Sequence, residues 1–247
     1  MKFGLIGQKL PHTLSPQIHA LLGIKNYDKT ELEPEEVEGF FQKGEYDGFN
    51  VTIPYKETVI PFLSEIDDLA KKIGAVNTVV KTEKGYVGYN TDIDGMAYAM
   101  KKAGITLQGK NVLILGTGGT SKTAFCLAEK EGASSVVKVG RTSEVNYENV
   151  YKRQETQVVI NTTPVGMFPK TDVSPLDLSR FANLESVFDC IYNPKKTLLI
   201  EQAESLRLSC ANGLLMLVEQ ARKAEEYFLR TTLPADLTEK VASLLRF

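Results

Sequence analysis

Short apolar runs alternate with stretches of helical period along almost the whole chain. "KFGLIG" (2–7) reads as a buried strand, and "SPQIHALLG" (15–23) as a helix with Ser15 at its N-cap and Pro16 at the first helical position. "YDKTELE" gives a second strand, "PEEVEGFFQKG" a helix from Pro34 to a stop at Gly44, and "YDGFNVTI" a third strand. "ETVIPFL" and "SEIDDLAKKIG" follow as helical segments. In "AVNTVVKTEKGYVGYN" two alternating runs meet at "EKG", the pattern of a β-hairpin. "TDIDGMAYAMKKAG" (91–104) then reads as a helix capped by Thr91 and stopped by Gly104.

After the polar turn "ITLQGK" the pattern starts afresh. "NVLILG" is a strand, "GGTSKTAFCLAEKEG" a helix, "SSVVKVG" a strand, and "SEVNYENVYKR" a helix. "TQVVINTT" and "ESVFDCIY" are further strands, and helices over 214–230 and 234–247 end the chain. Continuous Val/Ile/Leu runs imply strands covered on both faces, hence a parallel sheet with crossover helices. The expected architecture is two α/β domains with a boundary near 91–105, whose crevice is the default place for a ligand.

Composition narrows the function classes. The 247 residues suffice for one large or two small domains, and 43% apolar with 24% charged residues suits a soluble protein with a core. A net charge of −2 points away from nucleic acid or an anionic membrane as partner. "MKFGLIGQKLPHT" is broken too early by Gly and Pro for a signal peptide, and no run approaches the ~18 apolar residues of a membrane span. Cys126, Cys190 and Cys210 are odd in number and show no ligand spacing, so reduced thiols, a cytoplasmic location and no metal are expected. His12 and His19, on either side of a proline, make a poor metal or catalytic pair.

The chemistry begins at "VLILGTGGTSKTAF" (112–125), a glycine-rich turn between a buried strand and an amphipathic helix. Gly116 permits the tight turn, Gly118 lets a pyrophosphate approach backbone and helix N-terminus, and Ser121 takes the third, helix-packing glycine position. Where an NAD site carries an acid after the second strand, this chain has Gly140, Arg141 and Thr142, with the first acid at Glu144. An arginine there suits the 2′-phosphate of NADP, although it also fits a surface residue following a strand.

Three pieces of the first domain carry further polar groups at strand ends. "HTLSP" offers Thr13 and Ser15, "NVTIPYK" offers Asn50, Thr52 and Lys56, and "GAVNT" with "YNTDIDG" offers Asn77, Asn90, Thr91 and Asp92. Each has a plainer reading: Ser15 as a cap, Asp92 as a first-turn acid, Lys56 as a solvated charge after Pro54. Together they describe a polar pocket.

In order, "FGLIGQKLPHTLSPQIHA", "GFNVTIPYKE", "GAVNTVV", "GYNTDIDG", "LGTGGTSK", "GRT", "NTTPVGM", "DCIYNP" and "NGLLMLVEQA" resemble the shikimate dehydrogenase family over nearly the whole chain. The resemblance implies reversible reduction of 3-dehydroshikimate to shikimate with NADP(H) in aromatic biosynthesis. It also implies a substrate domain over 1–100, completed by the helices of 214–247, and a Rossmann-type, doubly wound NADP-binding domain over 101–213. Carried over by motif, Lys56 and Asp92 form the catalytic pair. Thr13 and Ser15 bind the substrate carboxylate with Tyr192 closing over it, and Asn50, Thr52, Asn77 and Gln220 serve the ring hydroxyls or support the pair. Gly116, Thr117, Gly118, Gly119, Thr120, Arg141, Thr142, Thr162, Cys190 and Gly213 match the dinucleotide positions. Gly140 and Thr142–Ser143–Glu144 depart from the family's usual asparagine and second basic residue, which weakens the expected NADP preference. Two alternatives follow: a quinate/shikimate dehydrogenase with relaxed cofactor use, or a catalytically silent NADP-binding sensor. The expected assembly is a monomer or homodimer.

Overall fold

A computed structural model of the chain describes residues 1–11 and 13–246; the expectation for His12 lies outside the described residues. The chain divides into two compact units, residues 1–92 with 218–246, and residues 93–217.

The N-terminal unit is built on a six-stranded sheet. Its strands are β1 (Phe3–Gly7), β2 (Tyr27–Glu31), β3 (Gly48–Val51), β4 (Glu65–Ile66), β5 (Thr78–Thr82) and β6 (Gly85–Tyr89), in the order β2-β1-β3-β5-β6-β4. β1 pairs parallel with β2 and β3, while β3–β5 and β5–β6 are antiparallel, so a βαβαβ unit is extended by the expected hairpin. The crossovers are α1 (Ser15–Leu22) and α2 (Val37–Lys43), with α3 (Asp68–Ile73) preceding the hairpin.

Side chains alternate across the sheet as the period-two rule requires. Ile6, Phe49, Val51 and Val79 enter one core with Phe41 and Tyr55. Phe3, Leu5 and Val80 enter the other with Tyr27, Ala224 and Phe228. Asn50 and Thr78 are register partners between β3 and β5.

α4 (Asp92–Lys102) starts at the last residue of the first segment of this unit. The C-terminal unit contains β7 (Asn111–Leu115), α5 (Gly119–Lys130), β8 (Ser135–Val139), β9 (Val158–Asn161), β10 (Ser186–Asp189), α6 (Leu198–Ser205) and β11 (Ser209–Ala211). All five strands are parallel, in the order β11-β10-β9-β7-β8. Val112–Leu115 and the whole of β9 and β10 are buried, which is why they read as unbroken apolar runs. α7 (Leu214–Leu229) and α8 (Leu237–Leu244) end the chain.

Several expected elements differ. Residues 143–153 form turns and one 3₁₀ turn, Val150–Lys152, rather than a helix. There Asn146 Oδ1 accepts from the backbone of Glu148 and Asn149, and Asn149 Nδ2 donates to the Glu144 carbonyl. These local bonds give the backbone an alternative to helical pairing. Residues 57–63 are turns closing in a 3₁₀ turn, Ile60–Phe62, and Glu65–Ile66 pair with β6 as a strand before α3 begins. Asp67 caps α3, accepting from Leu69 and Ala70. α6 and β11 went unpredicted, although Thr197 caps α6 and Leu199, Ile200 and Ala203 form its buried stripe. Ser15 is not a cap: it is the first residue of α1, Leu14 holds the N-cap position, and no side chain caps that helix.

Candidate active site

Lys56 is placed by a backbone pinned on both sides. β3 ends at Val51, and the Thr52 amide donates to the Ile6 carbonyl at 2.9 Å. The chain turns through the cis Ile53–Pro54 peptide to Tyr55, which is buried and donates its hydroxyl to the Leu32 carbonyl at 2.5 Å. On the other side the Val76 amide donates to the Lys56 carbonyl at 2.7 Å. Lys56 Nζ donates to Asp92 Oδ2 at 2.5 Å, with the two side chains 16% and 8% exposed.

Asp92 is the first residue of α4, where the helix macrodipole favours a carboxylate. Its other oxygen is held by Asn77, whose Nδ2 donates to Oδ1 at 2.9 Å. The Thr91 amide donates to Asn77 Oδ1 at 2.7 Å, which fixes the orientation of the Asn77 amide. Gln220 Oε1 accepts from Asn77 Nδ2 at 3.3 Å. Behind these, Asn50 Nδ2 donates to Thr78 Oγ1 at 3.0 Å and to the Asn77 carbonyl at 3.1 Å. Lys56, Asp92, Asn77, Gln220 and Asn50 therefore belong to one hydrogen-bonded cluster. An ammonium and a carboxylate in direct contact, partly withdrawn from water, can exchange a proton with a bound hydroxyl or carbonyl.

Thr13 and Ser15 meet each other, with Oγ1 of Thr13 donating to Oγ of Ser15 at 3.1 Å and accepting from the Ser15 amide at 3.2 Å. They lie at the start of α1, whose first amides lack carbonyl partners within the helix, as at any helix N-terminus. Thr52 is half-buried, and its hydroxyl has no hydrogen-bond partner among the described residues.

In the C-terminal unit, register aligns the candidate dinucleotide residues. Leu115 pairs with Val139 and Asn161, and Asn161 pairs with Asp189, so four parallel strands end level. Gly116, Gly140, Thr162 and Cys190 each come next in the chain. The row lies at the carboxyl ends of the strands, and β7 is the point from which the chain passes to β8 on one side and β9 on the other. Ligands of open parallel sheets bind at such a switch point.

Gly116 has φ of +113°, and a Cβ there would lie 2.6 Å from Thr162 Oγ1, which itself donates to the Leu115 carbonyl. Gly118 caps α5, and nothing lies within 4 Å of where its Cβ would be, so the turn's outer side is open. Thr117 is exposed beside it, and Gly119 and Thr120 open the helix. Ser121 is buried and donates to the Gly118 carbonyl at 2.7 Å, closing the turn. Arg141 and Thr142 are exposed after β8, and the Arg141 charge reaches Tyr147. Gly213 packs against the Cys190 carbonyl, only 2.0 Å from where a Cβ would sit, and its amide donates to the Ile191 carbonyl. An open glycine turn at the start of a 12-residue helix, with a cation after the next strand, fits a dinucleotide bearing a 2′-phosphate.

Two groups near this row have displaced protonation. Burial pushes the Asp189 carboxyl up to about 6, against hydrogen bonds from Thr197, Ile191 and Asn161 that favour its ionised form. Burial also raises the Tyr192 phenol. Among the described residues no group of three or more His, Cys, Asp or Glu is arranged to hold a metal ion. Among the described residues no helix is long and apolar enough to cross a membrane. Sequence reasoning missed Thr78 and Asp189. Thr78 directly follows Asn77 in "GAVNT" and Asp189 opens "DCIYNP", the only hints available.

Residues 5–79 match the family model described as the shikimate dehydrogenase substrate binding domain. The chain is 34% identical to the shikimate dehydrogenase (NADP(+)) of Clostridium beijerinckii, over 98% of this chain and 97% of that protein. The solved structure of shikimate dehydrogenase 1 from Peptoclostridium difficile superposes with a TM-score of 0.89 at 35% identity, covering 98% of this chain and 97% of that one. The Thermus thermophilus shikimate 5-dehydrogenase, solved with NADP(H) and shikimate, gives a TM-score of 0.86 at 27% identity, with 98% of each chain covered. Similarity of this extent over both sequence and fold shows that the chain belongs to the shikimate dehydrogenase family.

Proposed function

We propose that the chain catalyses the reversible, NADP-dependent reduction of 3-dehydroshikimate to shikimate, on the route to chorismate and the aromatic amino acids. The observation that carries this is the Lys56–Asp92 contact, partly buried and supported by Asn77. NADP(H), when bound, supplies or accepts the hydride. In the reducing direction the carbonyl carbon gains that hydride and its oxygen gains a proton. Lys56 donates a hydrogen bond to this oxygen and stabilises the developing alkoxide, while Asp92 holds the ammonium and the neighbouring hydroxyl. The pair releases one proton as a unit and recovers it from solvent. In the oxidising direction the same pair takes the proton from the hydroxyl.

Thr13 and Ser15, with the amides at the start of α1, hold the substrate carboxylate, and Tyr192 adds its hydroxyl. Thr52, Asn77 and Gln220 serve the ring hydroxyls. Asn50 supports Asn77 from behind, since both its amide hydrogens are engaged by the protein. The substrate domain is set at 1–100 with 214–247, and 101–213 is the NADP domain. Gly116, Thr117, Gly118, Gly119 and Thr120 cradle the pyrophosphate, Arg141 and Thr142 take the 2′-phosphate, and Thr162, Cys190 and Gly213 line the remainder. No metal takes part, and the enzyme works in the cytoplasm as a monomer or homodimer.

The test is NADP⁺ reduction by shikimate, repeated with quinate and with NAD⁺. Shikimate with NADP⁺ is expected to give the highest kcat/KM. Preferred turnover of quinate with NAD⁺ would replace this function with the related one, and no turnover of either would make the chain a binding protein.

A further inference from the structure

The hydrogen bonds behind Asp92 branch at Thr91, but one path through them runs in a single direction and begins at a residue outside every motif. The Asn77 carbonyl can only accept, so Nδ2 of Asn50 faces it, and Oδ1 of Asn50 faces Tyr27. The Tyr27 hydroxyl is therefore a donor, at 2.7 Å. Asn50 Nδ2 donates to Thr78 Oγ1, Thr78 Oγ1 donates to Asn77 Oδ1 at 3.0 Å, and Asn77 Nδ2 donates to Asp92 Oδ1. Each donor points toward the carboxylate that holds Lys56. Hydrogen bonds aligned in this way polarise one another, the more so away from water. Tyr27, Asn50, Asn77, Thr78 and Asp92 are all buried.

The phenol at the head of this chain has no freedom to swing. Its ring stacks on His19 with centroids 4.0 Å apart and planes 12° from parallel. His19 is held in turn by Glu225, Nδ1 to Oε1 at 3.0 Å, and the two side chains are 1% and 0% exposed. Burial raises the Tyr27 phenol well above its ordinary range, so the hydroxyl keeps the proton it donates.

Building on the dehydrogenase function proposed above, we propose that Tyr27 is a positioning residue for the reaction, setting the orientation of Asp92, and through it Lys56, by way of Asn50, Thr78 and Asn77. Without the phenol, Asn50 Oδ1 is buried with no donor, and the amide is drawn away from Thr78 to find one. Asn77 then loses an anchor on its oxygen, and its hydrogen bond to Asp92 slackens.

Tyr27→Phe tests this, because it keeps the ring and its stack on His19 and removes only the donor. Shikimate turnover by the unaltered enzyme is measured first, which separates failure of the assigned function from failure of this inference. For Tyr27→Phe, kcat is expected to fall roughly five- to thirtyfold, within the reach of a hydrogen-bond network, with both KM values nearly unchanged. Tyr86→Phe is the control: it deletes a buried hydroxyl bond to the Tyr46 carbonyl, away from the chain, and should change only the melting temperature. In a Thr78→Val background, cut downstream, Tyr27→Phe should add nothing further to the loss of kcat. A normal kcat in Tyr27→Phe, or a loss seen in KM rather than in kcat, would overturn the proposal. A Tyr27→Phe protein that does not fold, or losses fully additive with Thr78→Val, would do the same and leave Tyr27 a structural residue.

Discussion

Around Asp92 the N-terminal unit has its donors in place before any substrate arrives: one carboxylate oxygen is met by Lys56 and the other by Asn77. The glycine turn of the C-terminal unit is the opposite. Its backbone is bare on the outer side at Gly118, and the charge expected to read the cofactor, Arg141, stands exposed. The contrast matches what the proposed function asks of each. Stabilising a transition state needs dipoles that are already oriented, whereas holding a phosphate needs backbone donors, room and a cation. Substitutions around Asp92 should therefore act on turnover, and those at the glycine turn and Arg141 on cofactor affinity.

The largest effect is expected for Asp92→Asn, which removes the charge from the pair. It should lower kcat by roughly 10²–10⁴, the range of a positioned acid–base group. Combining it with loss of Lys56 should cost much less than the sum of the two, because they act as a unit. Additive losses in steady-state kinetics would mean that the pair is not one device.

Arg141→Ala comes next and addresses the second unit. Removing a charge-assisted contact of about 1.5–3 kcal/mol should weaken NADP⁺ some ten- to a hundredfold while NAD⁺ binds nearly as before. Equal losses, measured by titration calorimetry, would take the 2′-phosphate away from Arg141. Gly140 sharpens the point, since its Cβ position is filled by Ser143 Oγ at 2.5 Å and Thr117 Cγ2 at 2.7 Å. Those hydroxyl-bearing residues occupy the space of a larger side chain and bring no positive charge.

A third effect separates structural from chemical acids. The folded-state pKa of Asp189, raised to about 6, lies above its value in the unfolded chain, so the native state binds the proton more tightly. That stabilisation is complete below the unfolded pKa and is lost as pH rises through the folded one. Between pH 4.5 and 7.5 it amounts to about 2 kcal/mol. Asp189→Asn cannot titrate, so relative to the unaltered protein its denaturant stability should improve by about this much over the same range. A constant gap between the two proteins would show that Asp189 stays ionised throughout.

The smallest expected change is in Ser15→Ala, which should raise the shikimate KM severalfold and leave NADP⁺ affinity intact. Because Ser15 caps no helix, the cap-loss cost of about 1 kcal/mol does not apply, and the melting temperature should hardly move. A lowered melting temperature with normal KM would remove Ser15 from the carboxylate site.

Most of the framework was legible where a strand is buried on both faces, as in "NVLIL" and "VVIN", or where an element carries its own stop, as at Gly44. Local chemistry defeated the reading elsewhere. Asn146 and Asn149 close their own turns within an apparently helical stretch, and Glu65–Ile66 become a strand only because β6 is there to pair with. The site divides in the same way. Lys56 lies in the turn that follows a strand and Asp92 begins a helix, positions that sequence pattern locates. Tyr27 and Thr78 look like ordinary strand residues in the sequence. They join the cluster because Phe3 pairs with Tyr27, Leu5 with Asn50, and Asn50 with Thr78, a register that only the folded sheet displays.

Lys56→Met tests the division of labour between the units most directly, since it keeps the apolar stem and removes the charge. Turnover of shikimate and the Kd for NADPH, followed by nucleotide fluorescence in this tryptophan-free chain, should be measured on the same preparation. The expected result is a kcat lowered by roughly 10²–10⁴ beside an unchanged Kd. A variant that keeps most of its kcat, or that loses turnover only because NADPH no longer binds, would contradict the account.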